Sequence, residues 1–393
     1  MKMRLIPARK SLLPPDRASE TVVSRTLISR RAFGGGLGAM AFAAGTAGHA
    51  QPARPDQKLG IALVGLGSYS TGELAPALLE TRSCYLAGVV TGSPEKGKKW
   101  AHDFRFPERN IFSYETMADL RNAPDIDIVY IVTPNALHAQ HAIAAARAGK
   151  HVISEKPFTT SVADAEAVIA ACREAKVKLS IGYRLHFHPF YSELMRLTRE
   201  KEFGEFTSAR GENAYQKKDE TAGWRFGKTL GGGPVRDLGI YVIQAACMAA
   251  GDVASVSITA QQGPATRPKF FVDIEESMAW TMTFANGLVC DCTTSYVNKR
   301  EQNDFRAEGP QGWIKLKNAF GYRDIEGATS RTRLIYNPRP PVRMQALQMD
   351  DFARCIIEDR PSRVPGEMGL RDVKIMASIF EAAASGERVQ LKL

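Results

Sequence analysis

The segment "KLGIALVGLGSYSTGELAPALLE", residues 58–80, predicts the fold of the chain that contains it. A short apolar run is followed by Gly65-Leu66-Gly67 and then by helical spacing over residues 73–80. Strand, glycine turn and helix in this order are typical of the phosphate-binding turn of a dinucleotide-binding fold. Gly65 permits the tight turn, Gly67 lets the backbone approach a pyrophosphate, and the start of the helix offers unpaired N–H groups to the anion.

Two small residues complete this predicted cofactor turn. Ser68 follows Gly67 directly, and Ser70 occupies the place of the third glycine of the motif. A small residue at that place still allows close packing of the helix on the strand. We therefore expect Gly65, Leu66, Gly67 and Ser68 to contact the cofactor.

The end of the second strand predicts which nicotinamide nucleotide is bound. Residues 85–90 form an apolar run that ends in "TGSPEK", without the acid that would bind a ribose 2'-hydroxyl. The hydroxyls of Thr91 and Ser93, together with Lys96, suit a 2'-phosphate instead. The pattern favours NADP over NAD.

Strand-like and helical runs then alternate along the chain. Strands are predicted at residues 126–132, 151–154 and 178–182, and helices at 138–148 and 161–175. This βαβ alternation predicts a right-handed, doubly wound, mostly parallel sheet, and so a Rossmann domain over residues 58–182. Ligands of such sheets lie at the carboxyl ends of the strands, where the sequence places Thr133-Pro134-Asn135 and Glu155-Lys156-Pro157.

A second domain with a different pattern of strands and helices is predicted over residues 183–393. After a helix that begins near Pro189, strand-like runs occur at residues 205–215, 253–262, 276–284, 287–296 and 312–318, and helical spacing returns at 345–359 and 366–385. Asn286-Gly287 between two of these runs predicts a β-hairpin. The whole is expected to be an α/β protein whose C-terminal α+β domain, built on a largely antiparallel open-faced sheet, binds substrate and forms a homo-oligomer, a dimer or a tetramer.

The segment "SRRAFGGGLGAMAFAAGTAGHA", residues 29–50, predicts export. Arg30-Arg31, a moderately apolar run and a small-residue cleavage site ending at Ala50 are typical of a twin-arginine signal peptide, here residues 1–50. The run is too short and too weakly apolar for a stable membrane anchor. We expect the twin-arginine machinery to deliver the folded protein to the periplasm. The alternative is a disordered basic tail before a cytosolic enzyme.

Most of the excess positive charge lies in that signal. Residues 1–50 hold eight Lys and Arg against two acids, so they supply +6 of the formal net charge of +10. About +4 remains for the rest, which does not indicate a nucleic-acid surface. The pair His186 and His188 has no third ligand nearby in the sequence, so no metal site is predicted.

Six ordered motifs, "GLGSYS", "TPNALH", "EKP", "GYRLHFHP", "GGGPVRDLGIY" and "MDDFARCI", resemble the glucose-fructose oxidoreductase / inositol dehydrogenase family, and most closely its glucose-fructose oxidoreductase branch. The resemblance covers nearly all of residues 51–393. That branch carries a long proline-rich arm after its signal, whereas here only residues 51–57 precede the first strand. How the cofactor is retained, and whether a tetramer forms, therefore stay open.

The resemblance implies a catalytic set of Lys156, Asp237 and Tyr241, which would also bind the substrate. Asp237 and Tyr241 are four residues apart on a predicted helix and share one face of it. Many relatives have histidine where this chain has Tyr241. A tyrosine needs a nearby cation to act as a base, and Lys156 is the expected one. In the hypothesis, Tyr241 removes the anomeric hydroxyl proton of an aldose while C1 passes a hydride to the nicotinamide.

The resemblance also implies contacts around this set. Tyr183 and His186 are expected on the substrate side; the predicted cofactor contacts are Thr133, Pro134, Asn135, His138, Glu155, Lys156, Arg184, Trp224 and Arg225. For His138 a structural hydrogen bond is an equal alternative. Trp224 is also compatible with a place in the core.

Export of a nicotinamide enzyme narrows its function, because free cofactor is not exchanged outside the cytoplasm. The favoured hypothesis is a sugar oxidoreductase with tightly bound NADP, which oxidises an aldose at C1 to an aldonolactone and reduces a second sugar to a polyol. An alternative is a conventional NADP-dependent aldose or xylose 1-dehydrogenase, or a dihydrodiol dehydrogenase, that exchanges free cofactor. A second alternative is a non-catalytic regulator that binds sugar or NADP. The location of the mature protein and its turnover distinguish the three.

Overall fold

Six parallel strands form the first sheet, in the spatial order β3-β2-β1-β4-β5-β6. The computed structural model describes residues 58–217, 223–251, 253–336 and 342–393, and the predicted signal at residues 1–50 lies outside them. The strands are β1 Leu59–Val64, β2 Cys84–Val90, β3 Ile111–Phe112, β4 Ile128–Ile131, β5 His151–Ser154 and β6 Leu179–Ile181. The strand order reverses between β1 and β4, as in dinucleotide-binding folds. The predicted Rossmann sheet is confirmed.

Helices cover this sheet on both faces. They are α1 Ala75–Leu78, which continues a π-helical turn Ser70–Leu74, α2 Pro94–Phe104, α3 His138–Arg147 and α4 Val162–Glu174. Successive residues of β1 enter two different apolar clusters, with Ile61 and Leu63 on one face and Ala62 and Val64 on the other. Burial on both faces explains why this strand is a continuous apolar run.

Within the described residues, nine strands form the second sheet, in the order β14-β13-β12-β11-β7-β10-β9-β8-β15. They are β7 Ser208–Gln216, β8 Ser255–Gln262, β9 Ser277–Phe284, β10 Val289–Ser295, β11 Val297–Gly309, β12 Gly312–Lys317, β13 Glu326–Thr329, β14 Arg333–Leu334 and β15 Val389–Lys392. Among these pairings only β7 with β10 is parallel, so the largely antiparallel sheet is confirmed. The Asn286-Gly287 hairpin joins β9 to β10, and Gly287 has a φ of 90° there.

Four longer helices belong to the second half of the chain: α5 Pro189–Glu200, α6 Ile240–Ala250, α7 Met344–Ile357 and α8 Gly366–Ser385. Every residue of α6 is buried, and the helix packs on β7, α5 and α8. Across the described ranges, no helix combines the length and the apolar character needed to cross a lipid bilayer.

Helix α7 returns to the first sheet. Its residues Met349 and Phe352 share an apolar cluster with Ile61 and Leu63 of β1. The carboxylate of Asp350 accepts hydrogen bonds from the backbone N–H groups of residues 82 and 83, at 2.9 and 2.7 Å. The chain thus leaves the six-stranded sheet after β6 and comes back to cover its outer face.

Candidate active site

A small cavity lies at the carboxyl ends of β4 and β5, where they face the second half of the chain. It is lined by Tyr69, Val132, Thr133, Asn135, His138, Glu155, Lys156, Trp224, Arg225, Asp237, Tyr241 and Tyr322. The predicted catalytic set Lys156, Asp237 and Tyr241 meets here. The sequence motifs do not indicate Tyr322 or Val132, and they indicate Tyr69 only as a neighbour of the glycine turn.

Asp237 is the electrostatic centre of this cavity. It lies in a π-helical turn, Val235–Gly239, that runs into α6. Its Oδ2 accepts hydrogen bonds from Arg225 Nε at 3.0 Å and from the Tyr296 hydroxyl at 2.5 Å. Its Oδ1 lies 3.5 Å from Lys156 Nζ, which also donates to the Asp237 backbone carbonyl at 2.8 Å. A π-helical turn is a local irregularity often found at functional sites.

The surroundings of Asp237 hold it ionised. Burial alone would raise the pKa of this carboxyl, but the charges of Lys156 and Arg225 and the hydrogen bond from Tyr296 outweigh that effect. The result is a pKa lowered to about 2. Asp237 is therefore a fixed anion, suited to orienting two cations and unsuited to acting as a base near neutral pH.

We expect the Asp237→Asn variant to differ from the wild type in its acid stability. The lowered pKa contributes about 2 kcal/mol to the wild type above about pH 4, and this is lost as the pH falls through 2. Thermal unfolding midpoints of both proteins, measured from pH 6 to pH 2, should therefore converge as the solution becomes acidic. A constant gap between the two midpoints would show that the carboxylate is not stabilised by its neighbours.

Tyr241 stands between two cations. Lys156 Nζ lies 4.4 Å from the centre of its ring, and Arg184 Nε donates a hydrogen bond to its hydroxyl at 3.4 Å. The Arg184 side chain is fully buried, so its charge is poorly screened. Cations on two sides of a tyrosine are the arrangement that this side chain would need to accept a proton from a substrate hydroxyl. The expectation named only Lys156 for this role.

Arg184 is not among the residues that line the cavity, although the sequence places it with the cofactor contacts. Its NH2 donates to the Phe320 carbonyl at 2.5 Å and its NH1 to the Gly321 carbonyl at 2.8 Å. The guanidinium is packed between the rings of Tyr241 and Tyr322, at 4.7 and 4.4 Å from their centres. Arg184 therefore lies outside the cavity and packs against two of the rings that line it.

Tyr183 and His186 also lie outside the cavity. His186 Nε2 is 2.6 Å from Gln244 Oε1, and the Gln244 side chain continues to Asp372 of α8. His186 borders a separate cavity of about 520 Å³ between α5, α6 and α8. The structure therefore does not bring these two residues together with Lys156, Asp237 and Tyr241.

His138 and Glu155 line the cavity, but their side chains are already hydrogen-bonded within the protein. The ring nitrogens of His138 lie 2.9 Å from the Pro157 and Thr133 carbonyl oxygens, and burial lowers its pKa. Glu155, whose pKa burial raises, accepts from the Tyr130 hydroxyl at 2.8 Å and from the backbone N–H of Lys156 at 3.0 Å. These contacts join the loop after β4 to the loop after β5, which carries Lys156, in line with a structural role for His138.

The glycine-rich loop Gly231-Gly232-Gly233 is connected to the cavity by Trp224, Arg225 and Asn135. The Arg225 guanidinium lies 4.6 Å from the centre of the Trp224 ring, and Asn135 Nδ2 donates to the Gly231 carbonyl at 2.8 Å. Neither Trp224 nor Arg225 is fully buried. An aromatic face beside a guanidinium is a suitable surface for a polyol or a nicotinamide ribose.

The glycine turn after β1 has the shape of a phosphate cradle. Gly65 has a φ of 96°, and a Cβ there would lie 3.1 Å from the Val132 carbonyl oxygen. The space above Gly67 is open to at least 4 Å, and the turn is closed by a 2.6 Å hydrogen bond from Ser70 Oγ to the Gly65 carbonyl. Ser70 is therefore small enough for the close packing that the missing third glycine would allow, and its side chain also donates a hydrogen bond to the turn. Leu66 is buried and Ser68 exposed beside it.

The end of β2 converges on the same turn. Ser93 caps α2 by accepting from the Lys96 backbone N–H at 3.4 Å, and Thr91 Oγ1 accepts from the Ser93 N–H at 3.2 Å. Lys96 Nζ reaches to 3.5 Å from the Leu66 carbonyl oxygen. A cationic side chain of α2 thus reaches the glycine turn, and α2 follows the strand whose end contacts the adenosine ribose in such folds.

These residues fit a nicotinamide dinucleotide. The cradle at Gly65 and Gly67 lies at one end, and the cavity with Lys156 and Tyr241 lies at the carboxyl ends of β4 and β5. Pro134 begins the short turn Asn135–Leu137 between them. An extended dinucleotide at the switch point of the sheet would contact both ends.

Comparison with known proteins agrees with this geometry. Residues 59–183 match a family described as "Oxidoreductase family, NAD-binding Rossmann fold" (GFO_IDH_MocA), and residues 191–315 match the GFO/IDH/MocA C-terminal domain. D-xylose 1-dehydrogenase [NADP(+)] of Haloarcula marismortui is 28% identical over 349 residues, which cover 86% of this chain and 94% of the relative.

Two solved structures are similar over most of the chain. The aldose-aldose oxidoreductase of Caulobacter crescentus, complexed with glycerol, is 34% identical with a TM-score of 0.81, and the match covers 85% of this chain and 100% of that one. A levoglucosan dehydrogenase in complex with NADH and levoglucosan is 23% identical with a TM-score of 0.73, covering 85% and 99%. The second likeness concerns the fold alone.

Proposed function

The chain belongs to the GFO/IDH/MocA family of oxidoreductases, and on that premise we propose that it is a sugar oxidoreductase that keeps NADP bound through its catalytic cycle. It oxidises one aldose at C1 to an aldonolactone and reduces a second sugar, an aldose or a ketose, to a polyol. The observation that carries this proposal is Tyr241 held between Lys156 and Arg184 in the cavity. The similarity to an aldose-aldose oxidoreductase supports it.

Each residue of the catalytic set has a role that follows from its contacts. Tyr241, as its phenolate, takes the proton of the C1 hydroxyl, and the phenol so formed returns that proton to the sugar that is reduced. Lys156 and Arg184 stabilise the charge on the Tyr241 oxygen, and Asp237 holds Lys156 and Arg225 in place. The bound nicotinamide supplies the hydride acceptor and donor.

The choice of NADP rests on the end of β2, and the name of the D-xylose 1-dehydrogenase relative gives NADP(+) as its cofactor. We expect Lys96→Ala to weaken NADP binding about tenfold or more while leaving NAD binding unchanged, because a charge-assisted contact to a phosphate is lost. Equilibrium titration by nicotinamide fluorescence measures both constants. Lys99→Ala, on the same helix but paired with Asp103, is the matched control. Equal losses for both nucleotides would remove Lys96 from the 2'-phosphate site.

We further propose that residues 1–50 direct the folded protein through the twin-arginine machinery to the periplasm. Outside the cytoplasm no pool of free NADP replaces the bound one. A second sugar that reoxidises the cofactor in place solves this difficulty. We also propose that the mature protein is a homo-oligomer assembled through its second sheet.

Purification of the mature protein without added nucleotide tests the proposed cycle. Absorbance near the reduced-nicotinamide band, about 340 nm, is recorded before and after addition of glucose or xylose alone, and again after a second sugar. Bound NADP that the first sugar reduces and the second reoxidises is the expected result. A nucleotide-free protein that turns over only with added NADP would replace the proposal by the alternative below.

A conventional NADP-dependent aldose 1-dehydrogenase is the second candidate. It is favoured by the similarity to D-xylose 1-dehydrogenase, which spans 94% of that relative. The same proton acceptor and cofactor cradle would serve it, with release of NADPH after each turnover.

A further inference from the structure

Tyr69 of the first domain and Tyr322 of the second domain contact each other at the cavity. Tyr69 follows the glycine turn of the first sheet, and Tyr322 lies in the loop after β12 of the second sheet. Their ring centres are 5.9 Å apart with an angle of 34° between the planes. Both rings line the cavity that contains Lys156 and Tyr241. The two domains therefore touch through aromatic side chains at the site itself.

The loop that carries Tyr322 is held firmly. Its ring packs on the buried Arg184 guanidinium, which donates to the carbonyls of the two preceding residues, Phe320 and Gly321. The Phe320 N–H in turn donates to Asn303 Oδ1 at 2.7 Å. With its backbone fixed in this way, Tyr322 presents a ring of defined position to Tyr69.

Tyr69 stands where a dinucleotide has to pass. It is two residues beyond Gly67, above which the space is open, and Ser70 next to it is fixed to the Gly65 carbonyl. A dinucleotide bound at the switch point runs from this turn to the cavity near Lys156. Because the Tyr69 ring lines this cavity, a dinucleotide on that path would pass beside it. A ring contact across that path obstructs departure of the ligand.

We propose that Tyr69 and Tyr322 form an aromatic clasp over the bound NADP and slow its release. This inference rests on the proposed function, which requires a retained cofactor. Tyr322 is the fixed half of the clasp, and Tyr69 is the half that separates from it when the nucleotide leaves. Neither residue takes part in the proton transfer assigned to Tyr241.

The release rate of NADPH tests the clasp. The mature wild type and the variants Tyr69→Ala, Tyr322→Ala and the double variant are loaded with NADPH and mixed with excess NADP, and the decay of nicotinamide fluorescence is followed. We expect each single variant to release NADPH about tenfold faster than the wild type, since both lose the contact between the two aromatic rings. The double variant should release it no faster than the singles, because one contact is broken in all three.

Three controls sharpen the result. Tyr69→Phe and Tyr322→Phe keep the rings and should release NADPH at the wild-type rate. Tyr85→Ala removes an exposed tyrosine that lies outside the cavity and should also have no effect. Thermal unfolding of every variant establishes that it is folded.

Two outcomes would overturn the clasp: unchanged release rates in both single variants, or single effects that multiply in the double variant, which would indicate two independent contacts to the nucleotide. Failure of the proposed function is a different result. A wild type that purifies without nucleotide but still releases added NADPH tenfold more slowly than the variants would refute the self-resetting cycle and support the clasp.

Discussion

Replacement of Tyr241 by Phe should reduce the rate of cofactor reduction by an aldose about a thousandfold, since a positioned general base contributes about 10²- to 10⁴-fold. The variant keeps the ring that packs against Lys156 and Phe320 and loses only the hydroxyl that Arg184 contacts. We therefore expect it to fold and to bind NADP as the wild type does. The measurement is a single turnover of NADP-loaded protein mixed with glucose or xylose.

The control for this prediction is Tyr85→Phe, which removes a tyrosine hydroxyl outside the cavity. It should leave the single-turnover rate unchanged. If Tyr241→Phe also retained the wild-type rate, Tyr241 would have no part in proton transfer, and the proton acceptor would have to be another group of the cavity.

A smaller but still large loss of turnover is expected for Lys156→Met, which keeps the length of the side chain and removes its charge. Lys156 serves two neighbours at once, the Asp237 carboxylate and the Tyr241 ring. Without it, negative charge on the Tyr241 oxygen is stabilised by Arg184 alone, and Asp237 loses one of its counter-charges. We expect the single-turnover rate to fall about a hundredfold or more.

Lys150→Met is the matched control, because Lys150 is a buried lysine and the Lys156 side chain is largely buried. It donates to the carbonyls of Ala123 and Ile126, at 2.9 and 2.8 Å, and lies outside the cavity. Its loss should lower the thermal midpoint and leave turnover per folded molecule intact. Equal losses of turnover in both lysine variants would mean that the effect of Lys156 is one of folding.

The first sheet is predictable because its signals are local. In β1 both faces are buried, so the strand appears as an unbroken apolar run, and the glycine turn that follows has a conformation that favours glycine, with Gly65 at a φ of 96°. Helix α2 is not predicted, although Ser93 caps it and Pro94 begins it. Its many charged residues leave only Gly97, Trp100 and Ala101 buried, too few to form an evident apolar stripe.

The second sheet is predicted only in part, for a similar reason. Strand β11 is thirteen residues long, yet only Phe305 and Ala307 in it are buried, so its sequence shows little alternation. Its pairing with β7 also shifts register between Val297 and Gln302. Such a strand is specified by its neighbours in space, which local periodicity does not reveal.

The candidate site is also predicted only in part. The motifs predict that Lys156 lies at the end of a strand and that Asp237 and Tyr241 share one face of a helix. These two features bring the three side chains together. The directions of side chains after β6 are not encoded in that way. His186 contacts Gln244 of α6, and Tyr183 lies near Asp372 of α8. Tyr322 reaches the cavity from a loop of the other sheet, a contact for which the sequence carries no motif.

The return of α7 to the first sheet has a consequence for how the protein is made. A nascent chain that ends before Met344 lacks the part of the apolar cover over Ile61 and Leu63 that Met349 and Phe352 supply. We expect the nucleotide-binding half to become stable only when synthesis is nearly complete, although its first strand emerges early. Folding of the two halves is then a single late event, and a protein interrupted during synthesis has no competent half with which to sequester a nucleotide.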